Sequence, residues 1–123
     1  ISEGDQLTGA KIANPYSLRF NNDGTKMFFI VGVSSTIREF SLGTAFDITT
    51  ASADDSSDTV DASLSDGTSS GFAFNQDGTK LFAADNGNNQ IDEYSLSTGF
   101  DLSTINYVQS VLIFQLKLKM HDQ

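Results

Sequence analysis

The chain of 123 residues has the length of one domain, and its sixteen acidic and seven basic residues give a formal net charge of −9. A negative surface repels the phosphate backbone, so we expect no nucleic-acid partner. There is no cysteine, and the single histidine, His121, offers no cluster for a metal or for base catalysis. We therefore expect no metal and no cofactor. No apolar run is long enough to span a membrane, so we expect no membrane partner either.

The main feature of the sequence is a tandem repeat. Residues 14–53 align without a gap on residues 68–107, and fifteen of the forty aligned pairs are identical. Phe20–Phe28 (FNNDGTKMF) falls on Phe74–Phe82 (FNQDGTKLF), for example. This is far more identity than unrelated segments share, and it indicates a duplication whose two units fold alike.

Each repeat predicts four short strands. The first strand ends at Phe20 or Phe74, where apolar and polar residues alternate, and an Asp-Gly pair follows as a hairpin signal. We expect the second and third strands at 26–31 and 37–42, and at 80–84 and 91–96. A fourth segment is predicted to start at Phe46 or Phe100. Neither repeat contains the apolar stripe of a helix.

Four antiparallel strands in a repeat of roughly 50 residues are typical of a β-propeller blade. A blade has two apolar faces and must lie between neighbours that bury them. The fold class predicted is therefore all-β, with two four-stranded propeller blades per chain. A single β-sandwich, in which the two halves pack face to face, is the alternative.

The motifs also resemble a known family. The pattern F-N-x-D-G-T-K-[ML]-F, followed by I-x-E-[FY]-S-L-x-T-x-F-D-[IL]-[ST]-T, is similar to the β-propeller repeats of marine phage and marine bacterial proteins. The resemblance covers residues 14–109, about three quarters of the chain. It implies a propeller, and it implies little about function.

The repeat divides the chain into four parts. We expect residues 14–67 to form blade 1 with an acidic Ser/Asp connector, and residues 68–109 to form blade 2. Residues 1–13 are expected to supply a partial blade or closing strand, and residues 110–123 a divergent C-terminal strand or tail. A propeller ring closes with about four to eight blades, so two blades do not close one. We therefore expect self-association, as a homotrimer or, second, a homotetramer; the alternative is a fragment of a longer propeller.

The C-terminal part departs from the repeat. Leu116, Leu118 and Met120 alternate with Lys117 and Lys119, which predicts a strand with one buried face. Such a strand would dock on a neighbouring subunit. An altered tail without that role is the alternative.

Two polar loops are the candidate ligand-binding sites. The loop of the second repeat carries amide and carboxylate groups suited to sugar hydroxyls, at Asp85, Asn86, Asn88, Asn89 and Gln90. The corresponding loop of the first repeat contains Ser34, Ser35 and Thr36. Plain hairpin turns explain the same residues. The aspartates of segment 54–67 lack the spacing of a calcium loop and indicate a solvated connector.

The sequence therefore favours a non-enzymatic recognition or scaffold module, with a glycan as the natural ligand class. A phage virion or a bacterial surface, outside the cell, is the favoured setting. The competing hypothesis is a purely structural module without a ligand. No residue is assigned a catalytic role, although glycoside hydrolysis, which needs only two carboxylates, stays open.

Overall fold

The computed structural model describes residues 15–31, 36–52 and 69–121, which form two four-stranded antiparallel sheets with their strands in sequence order. The first sheet consists of β1 (Pro15–Phe20), β2 (Lys26–Val31), β3 (Thr36–Leu42) and β4 (Ala51–Ser52). The second consists of β5 (Ser69–Phe74), β6 (Lys80–Asp85), β7 (Gln90–Leu96) and β8 (Ile105–Leu112). The expectation of an all-β chain with two four-stranded sheets is confirmed.

The two sheets share their register. Met27 pairs with Phe40 in the first sheet, and Leu81 pairs with Tyr94 at the matching place in the second. The pairing of β1 with β2 shifts between Tyr16 and Leu18, and that of β5 with β6 shifts one position earlier in the repeat. The hairpins of both sheets are therefore built to one plan.

The Asp-Gly turns explain why the first two strands of each sheet form a hairpin. Gly24 and Gly78 have φ angles of 75° and 73°, a region that favours glycine. In the first turn the Asp23 carboxylate accepts hydrogen bonds from the Thr25 backbone N–H at 3.0 Å and from its hydroxyl at 2.6 Å. These two donors hold the pKa of Asp23 below its ordinary value.

A second pair of turns connects the third and fourth strands, at residues 43–50 and 97–104. Each contains a short 3-10 helix, Ile48–Thr50 or Leu102–Thr104, which an aspartate caps through its side chain. Each turn also folds back on the Asp-Gly turn of its own sheet: Phe46 N–H donates to Gly24 O at 2.8 Å, and Phe100 N–H donates to Gly78 O at 3.0 Å. The fourth strand begins only after this helix, later than the start predicted at Phe46 or Phe100.

The main core lies between the two sheets. Phe28, Ile30 and Ile37, all from one face of the first sheet, are fully buried in it. The second sheet contributes a larger set of buried side chains, Phe72, Leu81, Ala83, Tyr94, Leu96 and Leu102. Burying each large apolar side chain contributes about 1.5–3 kcal/mol, so this core is the principal link between the sheets.

The sheets pack through unlike faces. In the repeat alignment Phe28 corresponds to Phe82. The second sheet, however, places Leu81 and Ala83 in the core, and these neighbours of Phe82 point to the opposite face of the strand. One face of the first sheet therefore meets the other kind of face on the second.

The remaining face of the first sheet carries a second buried cluster, formed by Met27, Phe29, Phe40, Leu42 and Ala51. The rings of Phe29 and Phe40 are stacked with their centroids 5.1 Å apart. The first sheet is thus buried on both faces.

The strand predicted from the alternation of Leu116, Leu118 and Met120 is wrong. The chain is a strand only as far as Leu112, and residues Ile113–His121 form a helix, α1. Leu, Lys, Gln and Met are strong helix formers, and their helical preference prevails once strand pairing ends. Phe114 and Met120 are 67% and 75% exposed. Among the described residues, no helix is long and apolar enough to cross a membrane.

Candidate functional site

A cleft of about 250 Å³ opens between the two sheets, beside their Asp-Gly turns. The first sheet contributes charged, aromatic and amide side chains to it, from Arg19, Phe20 and Asn22. The second sheet contributes Ala73, Phe74, Asn75, Gln76 and Phe100. The cleft therefore combines aromatic walls with hydrogen-bonding groups.

The two Asp-Gly turns are joined across the cleft. Asn22 and Gln76, which occupy the same position in the two repeats, are linked by a hydrogen bond of 2.7 Å from Asn22 Nδ2 to Gln76 O. Asn75 is already engaged within its own turn, because its Oδ1 accepts from Lys80 N–H at 2.9 Å and its Nδ2 donates to Thr79 Oγ1 at 3.2 Å. Within the described parts of the chain, Asn22 Oδ1 and the Gln76 side-chain amide have no hydrogen-bond partner and could bind a ligand.

Phe74 and Phe100 of the cleft pack against the core between the sheets, whereas Phe20 packs against the second cluster of the first sheet. The Phe74 ring centroid lies 5.0 Å from that of Phe100 and 4.9 Å from that of Phe28. Phe20, Phe74 and Phe100 are all half-buried, which leaves part of each ring for contact with a ligand. Such rings are held rigidly, so contact with them costs little conformational entropy.

Arg19 supplies the positive charge of the cleft. Its Nη1 donates to Leu18 O at 2.8 Å, and this bond orients the guanidinium. The guanidinium has five N–H donors and a positive charge. Together with the side chains of Asn22 and Gln76, it can donate to hydroxyl, carbonyl or carboxylate oxygens of a bound molecule.

A polar link joins the sheets at the edge of the core. Lys26 Nζ lies 3.2 Å from Glu39 Oε2 and donates to Phe100 O at 3.0 Å. Glu39 Oε1 accepts from Leu102 N–H at 3.1 Å. Burial raises the pKa of Glu39, and this effect outweighs the opposing effects of the Leu102 N–H and of Lys26. The Lys26–Glu39 pair is thus part of the contact between the sheets.

The loop predicted to bind a ligand is the turn between β6 and β7. Asn86, Asn88 and Asn89 are exposed there, whereas Asp85 is buried. The Asp85 carboxylate accepts from the Asn88 backbone N–H at 3.1 Å and from Asn88 Nδ2 at 2.9 Å, so these two residues help to shape the turn. Gln90 Nε2 donates to Asp92 Oδ1 at 2.8 Å. Ligand binding by this loop stays a prediction.

The other predicted loop contributes only one described residue. Thr36 is buried at the start of β3, whereas Ser34 and Ser35 lie outside the described residues. The acidic segment 54–67 also lies outside them. No sequence pattern predicts the cleft, because Asn22 and Gln76 have the pattern of ordinary turn residues and only packing brings them together.

Tyr94 of the second sheet is buried near the buried carboxylate of Asp92. Asp92 accepts from Ser110 Oγ at 2.6 Å, and the Tyr94 and Tyr107 rings meet edge to face at 5.7 Å. Burial, followed by the charges of Asp92, Tyr107 and Asp85, raises the pKa of Tyr94 to about 12.

Within the described ranges, no three Asp, Glu or His side chains are grouped so that they could hold a metal ion.

Comparison with known proteins bears on the fold alone. No family model matches the chain, and no curated protein matches it significantly. The structure is similar to that of a Bacteroides uniformis protein described as a "putative 6-phosphogluconolactonase", with a TM-score of 0.56 and 15% identity. The match covers 80% of this chain and 26% of the other. At this identity the likeness does not establish whether this chain is an enzyme.

Proposed function

We propose that this chain is a two-blade unit of a β-propeller that acts as a non-enzymatic recognition module, with the ring completed by further copies. The observation that carries the proposal is the packing of the sheets through unlike faces, with Phe28 of the first sheet in the same core as Leu81 and Ala83 of the second. In a β-sandwich two sheets bury one face each against the other, and no third sheet is needed. Packing of unlike faces can be repeated by every added sheet, as it is from blade to blade.

The similar solved structure agrees with the view that this chain is one part of a larger fold, because this chain matches 26% of that longer chain. Propellers close with about four to eight blades, so three copies with six blades and four copies with eight both satisfy the range. We favour the trimer. A head-to-tail contact that closes gives a ring with cyclic symmetry.

Carbohydrate is the ligand class that the cleft between the sheets supports best. Its half-buried rings, from Phe20, Phe74 and Phe100, offer apolar surface for the C–H face of a sugar. Its hydrogen-bonding side chains suit hydroxyl groups. Arg19 adds a preference for sugars that carry a carboxylate, because the guanidinium pairs with such groups in a bidentate manner.

Light scattering on a size-exclusion peak tests the assembly. A mass of three or four times 13.2 kDa supports the ring, whereas a folded monomer overturns it. A glycan array then tests recognition. We expect Arg19→Ala and Gln76→Ala to abolish binding if the cleft is the site, and Asn86→Ala to abolish it if the β6–β7 loop is the site. Lys117→Ala on α1 is the matched control for loss of a positive charge. An assembled ring that binds no glycan would favour the purely structural module.

A further inference from the structure

The two turns that precede the fourth strands have the same internal structure. Phe46 and Phe100 both have a φ of 60°, a left-handed conformation that a large side chain rarely adopts. The capping bonds also match, since Asp47 accepts from Thr49 N–H at 3.0 Å and Asp101 accepts from Ser103 N–H at 3.0 Å. Local interactions are therefore enough to define the conformation of both turns, and contact with another sheet is not required for it.

Among the described residues, only the second turn makes hydrogen bonds to a neighbouring sheet. Its Phe100 O accepts from Lys26 Nζ and its Leu102 N–H donates to Glu39, both on the first sheet. The Leu102 side chain is completely buried, and the Phe100 ring lies 6.4 Å from that of Phe28. A lysine, a glutamate and a phenylalanine of one sheet thus form a receiving surface for the turn of the next.

The first turn presents the same groups to solvent. Phe46 and Ile48, at the positions of Phe100 and Leu102, are 59% and 61% exposed. Within the described parts of the chain, no donor reaches Phe46 O and no acceptor reaches Ile48 N–H. The first turn therefore has the same conformation as the second turn but, in the part of the chain that the structure describes, lacks the contact with a neighbouring sheet. It exposes two apolar side chains and two backbone groups that the second turn uses in that contact.

The second sheet repeats the receiving surface. Its residues at the positions of Lys26, Phe28, Ile37 and Glu39 are Lys80, Phe82, Ile91 and Glu93. Phe28 and Ile37 are fully buried beneath the second sheet, whereas Phe82 and Ile91 are only half-buried and Lys80 is exposed. The chain thus carries an exposed turn on the first sheet and a matching, partly exposed surface on the second.

From these contacts we infer that the turn 43–50 of one copy docks on the Lys80, Phe82, Ile91 and Glu93 surface of a second copy. In the docked pair Lys80 donates to Phe46 O, and Glu93 accepts from Ile48 N–H, as Lys26 and Glu39 do within the chain. One Glu93 oxygen already accepts from Gln109 Nε2 at 3.1 Å, and the other remains for Ile48. The inference concerns the turn, because Met27, Phe29 and Phe40 on the sheet behind it are already buried.

This interface is head-to-tail, and it deepens the ring assembly on which it rests. Head-to-tail contacts use two different surfaces, so a variant that has lost one surface keeps the other intact. Ile48→Asp places a carboxylate opposite Glu93 and disables the turn. Lys80→Glu places a carboxylate opposite Phe46 O, beside Glu93, and disables the receiving surface. Like charges in a desolvated contact are strongly unfavourable, so we expect each change to raise the Kd of self-association at least about tenfold.

The test is light scattering on the wild type, on each variant and on their mixture. We expect an oligomeric wild type, monomeric single variants, and a mixture that forms a dimer of twice 13.2 kDa through its one remaining pair of intact surfaces. Phe114→Asp, at an exposed phenylalanine on α1, is the matched control and should assemble like the wild type. Circular dichroism checks that all variants are folded.

The outcomes separate this interface from the ring itself. A monomeric wild type overturns the proposed assembly and the interface together. An oligomeric wild type with equally oligomeric Ile48→Asp and Lys80→Glu variants leaves the assembly standing and overturns the interface. Folded monomeric variants that fail to form the mixed dimer would show that the contact is not head-to-tail.

Discussion

Ile48 and Leu102 occupy the same position in the two repeats, yet Ile48 is 61% exposed and Leu102 is completely buried. Both begin a 3-10 helix that an aspartate caps, so their local structures agree. The difference arises from the neighbouring sheet: Leu102 N–H is bound by Glu39, and its side chain lies in the core between the sheets. The local sequence therefore determines the conformation of these two turns, whereas packing against the other sheet determines how far each is buried.

The first prediction compares truncations at these two positions. Leu102→Ala should lower the free energy of unfolding by about 2–5 kcal/mol, because it opens a cavity in the core. Ile48→Ala should change it by no more than about 0.5 kcal/mol in the monomer, where the side chain is exposed. Urea denaturation at a protein concentration low enough to prevent association measures both values. Equal losses would show that the two turns are packed alike.

The second prediction concerns the glycines of the Asp-Gly turns. Gly24→Ala and Gly78→Ala should each cost about 1–2 kcal/mol, because both residues have positive φ angles. An added methyl group at Gly78 also meets the Phe100 ring, which is packed against Phe28 and Phe74.

The Phe46 ring, which faces Gly24 and contacts one ring, that of Phe20, is exposed and moves aside more easily than the half-buried Phe100 ring. We therefore expect Gly78→Ala to cost about 1–3 kcal/mol more than Gly24→Ala, through overpacking. Thermal unfolding of the two variants in parallel gives the comparison. A larger loss at Gly24 would contradict the packing described for Phe100.

The third prediction concerns Glu39. Its raised pKa means that its contribution to stability is complete below pH 4.5 and is lost as the pH rises through the value in the folded state. Glu39→Gln has no charge to bury and keeps an acceptor for Leu102 N–H, so at pH 7 it should change the free energy of unfolding by less than about 1 kcal/mol. Glu39→Ala leaves that N–H and Lys26 without their partner and should cost about 1–3 kcal/mol.

Denaturant titrations of the two Glu39 variants between pH 4.5 and pH 7 provide the measurement. The stability of Glu39→Gln relative to the wild type should increase with pH over this range. If Glu39→Gln were as damaging at pH 7 as Glu39→Ala, the attraction of Lys26 for the carboxylate would outweigh its burial.

The sheets are the part of the fold that the sequence predicts well. Apolar alternation and the Asp-Gly pairs locate the hairpins, because strand pairing and turn geometry depend on nearby residues. The alternation of Leu116, Leu118 and Met120 misleads, since strand formation also needs a pairing partner and the same residues favour a helix.

The candidate site was less predictable than the sheets. The Asp85 carboxylate is buried within its own turn, and Asn22 and Gln76 come together only across the contact between the sheets. Such contacts depend on how whole sheets pack, which no local pattern in the sequence records.

The fourth prediction concerns acid stability. The pKa values of Asp23, Asp47 and Asp77 are lowered, in each case by a threonine two residues later that donates its hydroxyl and its backbone N–H. Their contribution is present above pH 3.8 and is lost as the pH falls through the lowered values. Asp77→Asn should therefore flatten the fall of stability below pH 3.8, measured by thermal unfolding in a pH series. An unchanged slope would mean that the Thr79 hydrogen bonds do not favour the ionised form.

The last prediction concerns alkaline stability and Tyr94. The pKa of Tyr94 is raised from 10.0 to about 12, mainly by burial, so the unfolded chain releases this proton more readily than the folded one. Its contribution is complete below pH 10.0 and is lost as the pH rises through about 12, a total on the order of 2–3 kcal/mol.

Tyrosinate absorbance during a pH titration should therefore show a late step in the wild type, and that step should be missing in Tyr94→Phe. The variant should also lose less stability above pH 10.0, because phenylalanine has no proton to release. Tyr107→Phe, which changes the exposed ring beside Tyr94, is the matched control and should keep the late step. A wild type without the late step would show that the Tyr94 hydroxyl is reached by water in the folded chain.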